Sequence, residues 1–144
     1  MAITIERAVP GDAAAVAELI AQNQLPLDGL SEHLDTAIVA RRDGAVVGVA
    51  ALEVYQDGVL MRSVAVAPAL QGHGVGQRLT GAVLELARDL GAPHAYLLTT
   101  TAERFFPKFG FERIDRVDVP ASVQTSVEFR SACPSSAIVM RKAL

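Results

Sequence analysis

Six residues with three glycines carry the clearest chemical signal in this chain. Gln71-Gly72-His73-Gly74-Val75-Gly76 follows the apolar segment Val64-Ala65-Val66 and opens an amphipathic pattern, so a strand should pass through a tight turn into a helix. Such a turn points backbone N–H groups outward, and its glycines let the main chain approach a ligand closely. With the positive end of a helix dipole added, the site suits a phosphate or pyrophosphate. Gln77 stands where the P-loop needs lysine after its last glycine and where the dinucleotide fingerprint needs its third glycine. Neither of those loops fits.

Two charged residues are isolated in apolar runs. Glu53 lies within Val46 to Val54, where burial would raise its pKa and make it a better base toward an ammonium group. Arg62 lies within Leu60 to Val66 and is suited to clamp a carboxylate through two parallel hydrogen bonds. A two-residue Asp57-Gly58 turn places Gln56 opposite Val59 and Glu53 directly opposite Arg62. The pair is then either a structural tie or a pair of groups serving a ligand. Both readings stand at this point.

Other candidates are more scattered. Thr99, Thr100 and Thr101 end a strand, where hydroxyls cap a following helix or face a substrate. Arg130, Ser131 and Ser135 lie on a polar stretch suited to an anionic side chain. Cys133 is the single cysteine, and without an identifiable base its default is a small buried hydrophobe. His33, His73 and His94 show no metal-ligand spacing, and no metal is expected.

The elements that must position these residues follow from periodicity and turn signals. Ile3 to Val9 reads as a short strand closed by Pro10-Gly11-Asp12, with Asp12 as N-cap of a helix over Ala13 to Gln22. A short helix is expected around Leu30 to Leu34. Strands at Thr36 to Arg42, Ala45 to Tyr55 and Val59 to Val66 form a meander around the Asp43-Gly44 and Asp57-Gly58 turns. From Val75 an amphipathic helix runs to Gly91. His94 to Thr99 is a strand, Ala102 to Lys108 a short helix, and Phe111 to Val119 and Ala137 to Lys142 two further strands. Gln124 to Ser136 reads as irregular. The order predicts an α/β (α+β) layer fold of helices on a sheet, in a single domain over residues 1–144.

Composition removes whole classes. Hydrophobic residues make up 51% and charged residues 20% of 144, which excludes disorder. A net charge of −3 offers no basic excess for nucleic acid. The most apolar stretch, Ala45 to Val54, is too short to span a bilayer and contains Glu53. No signal peptide is read at the N-terminus, so a cytoplasmic location is expected.

Gln71-Gly72-His73-Gly74-Val75-Gly76 matches Gln/Arg-x-x-Gly-x-Gly/Ala, and with this motif the chain resembles the GNAT superfamily of acetyl-CoA-dependent N-acetyltransferases over nearly its whole length. Ala102 to Phe111 is similar to that family's short helix ending in Gly-Phe. The resemblance implies a central, mixed, mostly antiparallel sheet with helices on both faces. It also implies that the backbone amides of Gln71, Gly72, His73, Gly74, Val75 and Gly76 hold the CoA pyrophosphate. The main chain of Val64, Ala65 and Val66 would pair with the pantetheine arm, with Phe105 and Phe106 at the cofactor wall.

Leu97-Leu98-Thr99-Thr100-Thr101-Ala102, Phe105-Phe106 and Glu128 to Ala137 resemble the arsenic-resistance N-acetyltransferase branch, whose relatives acetylate phosphinothricin and arsinothricin. The Cys-Pro-x-Ser-Ala segment also resembles the acetyltransferase domain of N-acetylglutamate synthases. Both resemblances imply acetyl transfer to the α-amino group of an acidic amino acid or analogue in a ternary complex. Glu53 is then the expected base, Arg62 and Tyr55 face the substrate with Thr99, Thr100 and Arg130, and a homodimer is expected. Many members carry a tyrosine after Phe105 that protonates the thiolate, whereas this chain has Phe106. Ser63, Tyr55, Tyr96 or Cys133 could replace it. Rival readings are acetylation of a polyamine, aminoglycoside or protein terminus, and a non-catalytic acyl-CoA-binding module.

Overall fold

The structure, a computed structural model, describes residues 2–132 and 136–144. Its strands are β1 (Thr4–Arg7), β2 (Ala37–Arg42), β3 (Ala45–Tyr55), β4 (Gly58–Val66), β5 (His94–Thr99), β6 (Glu112–Ile114) and β7 (Ile138–Ala143). Its α-helices are α1 (Ala13–Gln22), α2 (Val75–Asp89) and the single turn α3 (Ala121–Gln124). The strands form one sheet in the order β1-β2-β3-β4-β5-β7-β6. Every neighbouring pair is antiparallel except β4 and β5, which α2 joins as a parallel crossover.

Both faces are covered, as the alternation of side chains requires. On one face Val16, Leu19 and Ile20 of α1 pack with Val39, Val49, Ala51 and Ala65. On the other, Val75, Leu79 and Val83 of α2 pack with Ala40, Ala50, Leu52, Val59 and Met61. Leu60, Tyr96 and Val139 form a third cluster beneath Val119 and Val123. Arg62, Leu60 and Glu53 share the α1 face by register.

Two irregularities shape the centre of the sheet. The pairing of β4 with β5 is confined to Val59↔Ala95 and Leu60↔Tyr96, beyond which the strands part. On the other side of β4, Val49 opposes Ala65 while Ala51 opposes Arg62, so Ser63 and Val64 together oppose Ala50. This is a β-bulge, and Ser63 takes a left-handed φ of 59° within it. The extra residue restores the alternation, placing both Arg62 and Ala65 on the α1 face.

Several expectations are corrected. The second hairpin turns on Gln56-Asp57, with Tyr55 opposite Gly58, so Glu53 opposes Leu60 and not Arg62. The shift is two residues and keeps Glu53 and Arg62 on one face as diagonal neighbours, within reach of long side chains. Gly58 is needed inside the strand: a Cβ there would stand 2.8 Å from the His94 carbonyl oxygen. Asp12 makes no side-chain cap bond to α1; its carboxylate accepts from the Val9 N–H at 2.9 Å and from Arg41 Nη2 at 2.6 Å. The helix expected over 102–108 is a turn leading into one 3-10 turn, Phe106–Phe109, because Pro107 admits only a helix start and Gly110 ends it at φ 90°. The strand expected over 111–119 shortens to β6 before a 3-10 turn, Arg116–Asp118. The stretch read as irregular contains α3 residue Gln124 and a π-helical turn, Glu128–Ala132.

Candidate active site

The glycine turn is built from a 3-10 turn, Pro68–Leu70, followed by Gly72 at φ 84° and Gly74 at φ 81°. Gly74 is the N-cap residue of α2, and a Cβ on Gly72 or Gly74 would meet nothing within 4 Å. The glycines therefore serve a left-handed backbone beside open space, not tight internal packing. A hollow of about 320 Å³ lies here, lined by Gln71, Gly72, Gly74, Val75 and Gly76 and walled by Phe105. An anion reaching it faces the N-terminus of a four-turn helix. The Gln71 side chain turns away, donating to the Val66 carbonyl at 3.1 Å and to Asn23 Oδ1 at 3.2 Å. His73 lines none of the described cavities, and Ala65 is buried beneath α1.

Where β4 and β5 part, a cleft of about 460 Å³ opens between Met61 to Val64 and Leu97 to Ala102. A groove past Val64, Val66, Gln71, Ala102 and Phe105 connects it with the glycine turn, since it shares lining residues with both. Thr99 and Thr100 line the cleft, and Thr99 Oγ1 also accepts the Ala102 N–H at 2.9 Å, tying down the turn that stands in place of the expected helix. Phe106 is 6% exposed, lines the cleft and packs edge-on against Phe105 and Phe111.

At the cleft floor Arg62 is 2% exposed and ties several elements together. Its Nε donates to Ser63 Oγ at 3.0 Å, and Nη1 to the Asp28 carbonyl at 2.6 Å and Glu53 Oε2 at 2.8 Å. Nη2 donates to the Pro26 carbonyl at 3.0 Å. Every nitrogen of the guanidinium already serves the protein, so the expected two-bond clamp finds no free pair of donors. A second buried carboxylate, Glu128, stands with Oε2 3.4 Å from Arg62 Nε and lines the cleft.

Glu53 faces the opposite way, into a separate cavity with His33, Tyr55, Thr125 and Arg130. Burial pushes its carboxyl up, as expected, yet hydrogen bonds from Ser126, Tyr55 and Arg62 and the nearby His33 outweigh burial and hold it below its ordinary value. The expectation of a raised pKa is overturned because the sequence shows the apolar run but not the donors that fold around it. Tyr55, which donates to Glu53, is pushed up to about 12 by burial and by that carboxylate. Tyr96 is buried in the third cluster, away from the cleft, and its hydroxyl is raised by burial. Of the hydroxyls named as proton donors only Ser63 lines the cleft. Cys133 and Ser135 lie outside the described residues.

Glu53→Gln is expected to cost about 1–3 kcal/mol near neutral pH through weakened charged hydrogen bonds. A folded-state pKa below the ordinary 4.5 means that Glu53 contributes stability above pH 4.5 and loses it as pH falls through the lower, folded value. The variant should therefore differ most from the parent near neutrality and least in acid, as urea unfolding at several pH values will read.

Sequence reasoning missed Glu128, Asp28, Pro26 and Ser126. Glu128 stood in a quoted motif, but only the fold brings it to Arg62. Among the described residues no group of three or more His, Cys, Asp or Glu is placed to hold a metal, and no helix is long and apolar enough to cross a membrane.

A mixed sheet that parts beside a glycine turn at a helix N-terminus leaves an open groove through the middle of the fold. Residues 33–113 match the acetyltransferase (GNAT) domain family, and the chain belongs to that family, which uses acetyl-CoA. An amino-acid acetyltransferase of Mycobacterium tuberculosis is 42% identical over 81 residues, 56% of this chain and 46% of that protein. One from Ralstonia nicotianae is 40% identical over 84 residues, 57% of this chain and 19% of that protein. The chain thus spans less than half the length of these curated relatives. Among solved structures, N-acetylglutamate synthase from Neisseria gonorrhoeae, complexed with coenzyme A and N-acetyl-glutamate, superposes with a TM-score of 0.85 at 23% identity, over 100% of this chain and 35% of that one. Rv2747 from Mycobacterium tuberculosis, in complex with CoA and NLQ, gives 0.83 at 29% identity over 98% of this chain and 99% of that one.

Proposed function

We propose that the protein transfers an acetyl group from acetyl-CoA to the α-amino group of a small acidic amino acid or analogue, by direct attack in a ternary complex. The observation that carries this reading is the continuous groove from the glycine turn to the buried charges at the parting of β4 and β5. Acetyl-CoA supplies the activated acetyl group and the thiol leaving group. The open, Cβ-free hollow at Gly72 and Gly74 fits its pyrophosphate. Val64 to Val66 offer main-chain partners to an extended arm, and Phe105 and Phe106 wall it. The bulge at Ser63 turns backbone out of the ladder at the cleft floor, where an N–H can meet negative charge developing on a carbonyl oxygen.

The acceptor must shed one ammonium proton before its nitrogen forms the new C–N bond, and the departing sulfur must end protonated. Glu53 can take the first proton only at one remove, through ordered water or its neighbours, because it lines the cavity behind Arg62. Ser63 is the cleft hydroxyl able to serve the sulfur, and a thiolate can also leave with water alone. An amino-acid acceptor is supported by the amino-acid acetyltransferase relatives, and an acidic one by the structure solved with N-acetyl-glutamate. Resemblance to the arsenic-resistance branch adds phosphinothricin and arsinothricin. The same reading takes the described fold as one acetyltransferase domain of a cytoplasmic homodimer, with a small-molecule acceptor and no part for nucleic acid or membrane.

The test is thiol release from acetyl-CoA across free amino acids, phosphinothricin, arsinothricin, polyamines and an aminoglycoside. Release confined to acidic amino acids and their analogues is expected. Release with cationic amines alone sinks the acceptor class, and acetyl-CoA binding without any release leaves a binding module.

A further inference from the structure

We propose that Arg104 and Lys108 form a phosphate-reading ledge on the cofactor groove, which takes the 3′-phosphate of coenzyme A and makes the protein discriminate against cofactors that lack it. The inference rests on the acetyl-CoA path proposed above and adds a site for the one anionic group that path leaves unassigned.

Coenzyme A carries two kinds of anionic group. Its pyrophosphate lies in the middle of the molecule, whereas its 3′-phosphate is a monoester on the ribose, with about two negative charges near neutral pH. The hollow at Gly72 and Gly74 offers main-chain donors and a helix end to the first. No lysine or arginine is among the described residues that line it, so it has no side-chain cation for the second. The whole chain carries a net charge of −3, and a dianion is received on such a protein only where the local field is positive.

That field stands on the neighbouring wall. Arg104 and Lys108 line the groove that shares Val66, Gln71 and Phe105 with the hollow. Both are exposed, and neither pairs with a carboxylate among the described residues. Glu103 lines the same groove, and the two cations outweigh it.

The backbone beneath the two cations is held firmly. The Ala102 N–H donates to Thr99 Oγ1 at 2.9 Å, the Phe105 N–H to the Ala102 carbonyl at 3.0 Å and the Lys108 N–H to the Phe105 carbonyl at 3.4 Å. Arg104 and Lys108 therefore stand on consecutive turns, one on each side of Phe105 in the chain. Lys108 Nζ lies 5.9 Å from the centre of the Phe105 ring, a cation–π distance, and Phe106 and Phe109 hold that ring at centroid separations of 5.1 and 5.4 Å. Phe105 also walls the hollow, so the ammonium stands one ring away from where the pyrophosphate is proposed to rest. An arginine fork beside a lysine point charge is a donor set suited to the oxygens of a phosphate monoester. A cofactor without the 3′-phosphate keeps its pyrophosphate and arm contacts and loses only this one.

The decisive experiment is calorimetric titration of the protein with CoA and with 3′-dephospho-CoA. The parent should bind CoA about 10-fold more tightly. That margin should shrink as salt is raised from about 0.05 M to about 0.5 M, because the contact is exposed. In the double variant Arg104→Gln, Lys108→Gln the margin should fall to about 2-fold or less, through weaker CoA binding alone, with dephospho-CoA holding its parent affinity. Arg88→Gln removes one positive charge at the far end of α2 and should keep the full margin. The proposal is overturned by a margin that survives the double variant, by one indifferent to salt, or by parallel weakening of both cofactors, which would set the cations on the pyrophosphate instead. Equal binding of the two cofactors by the parent overturns it and leaves the acetyl-CoA path standing, whereas a parent that binds neither overturns both.

Discussion

Replacing Arg62 with alanine is expected to cost about 3–5 kcal/mol of folding stability, the largest loss of any single substitution considered for this chain. The guanidinium is 2% exposed, holds Glu53 at 2.8 Å and Glu128 at 3.4 Å, and moors the carbonyls of Pro26 and Asp28 to the sheet. Its removal leaves two buried carboxylates short of a cation and frees the loop that forms one wall of the cleft. Arg62→Lys should recover only part of the loss, because one ammonium with three donors cannot reach Ser63, Glu53 and two carbonyls in a planar fan. Urea unfolding reads both variants. A midpoint for Arg62→Ala close to the parent's would mean that the buried network contributes little.

The second large effect is on cosubstrate affinity. Gly74→Asp should weaken acetyl-CoA binding by about 100-fold or more and abolish thiol release with every amine. Gly74 sits at φ 81°, a region that costs an L-residue about 1–2 kcal/mol, and it opens directly onto the hollow before α2. An added carboxylate would also place like charge where the helix N-terminus is proposed to receive pyrophosphate. Gly74→Ala separates the two causes, since it carries the backbone cost without the charge and should lie between parent and Asp. Equal affinity in all three proteins, measured by calorimetry, would move the anion site elsewhere.

Much of the frame could be read from local signals. Ala45–Tyr55 and His94–Thr99 are strands with the bounds that apolar content and turn residues imply, and Val75–Asp89 is the amphipathic helix that the glycine turn should open. The glycine turn and the helix it opens were equally legible, because glycine spelling and a helix start act locally. What escaped depends on distant partners. Gly58 looks like a turn residue, yet it is claimed by the approach of the His94 carbonyl from β5. Ser63 carries no local mark of the bulge it occupies. Glu53 and Arg62 were found as a pair, but the donors that lower Glu53 come from Tyr55 and Ser126, and Glu128 reaches Arg62 from a turn near the far end of the chain.

The narrow seam between β4 and β5 divides the one sheet into two parts joined by few ladder pairs. β1 to β4 form one plate and β5 to β7 the other, and within the sheet two residue pairs, Val59↔Ala95 and Leu60↔Tyr96, act as their hinge pin. An extended guest lying there as proposed would become a temporary eighth member of the sheet, bridging backbone groups that the protein leaves without a strand beside them. Rigidity of the whole body is then partly on loan from the guest, and slowed amide exchange over residues 61–66 and 97–99 is where that loan would be visible.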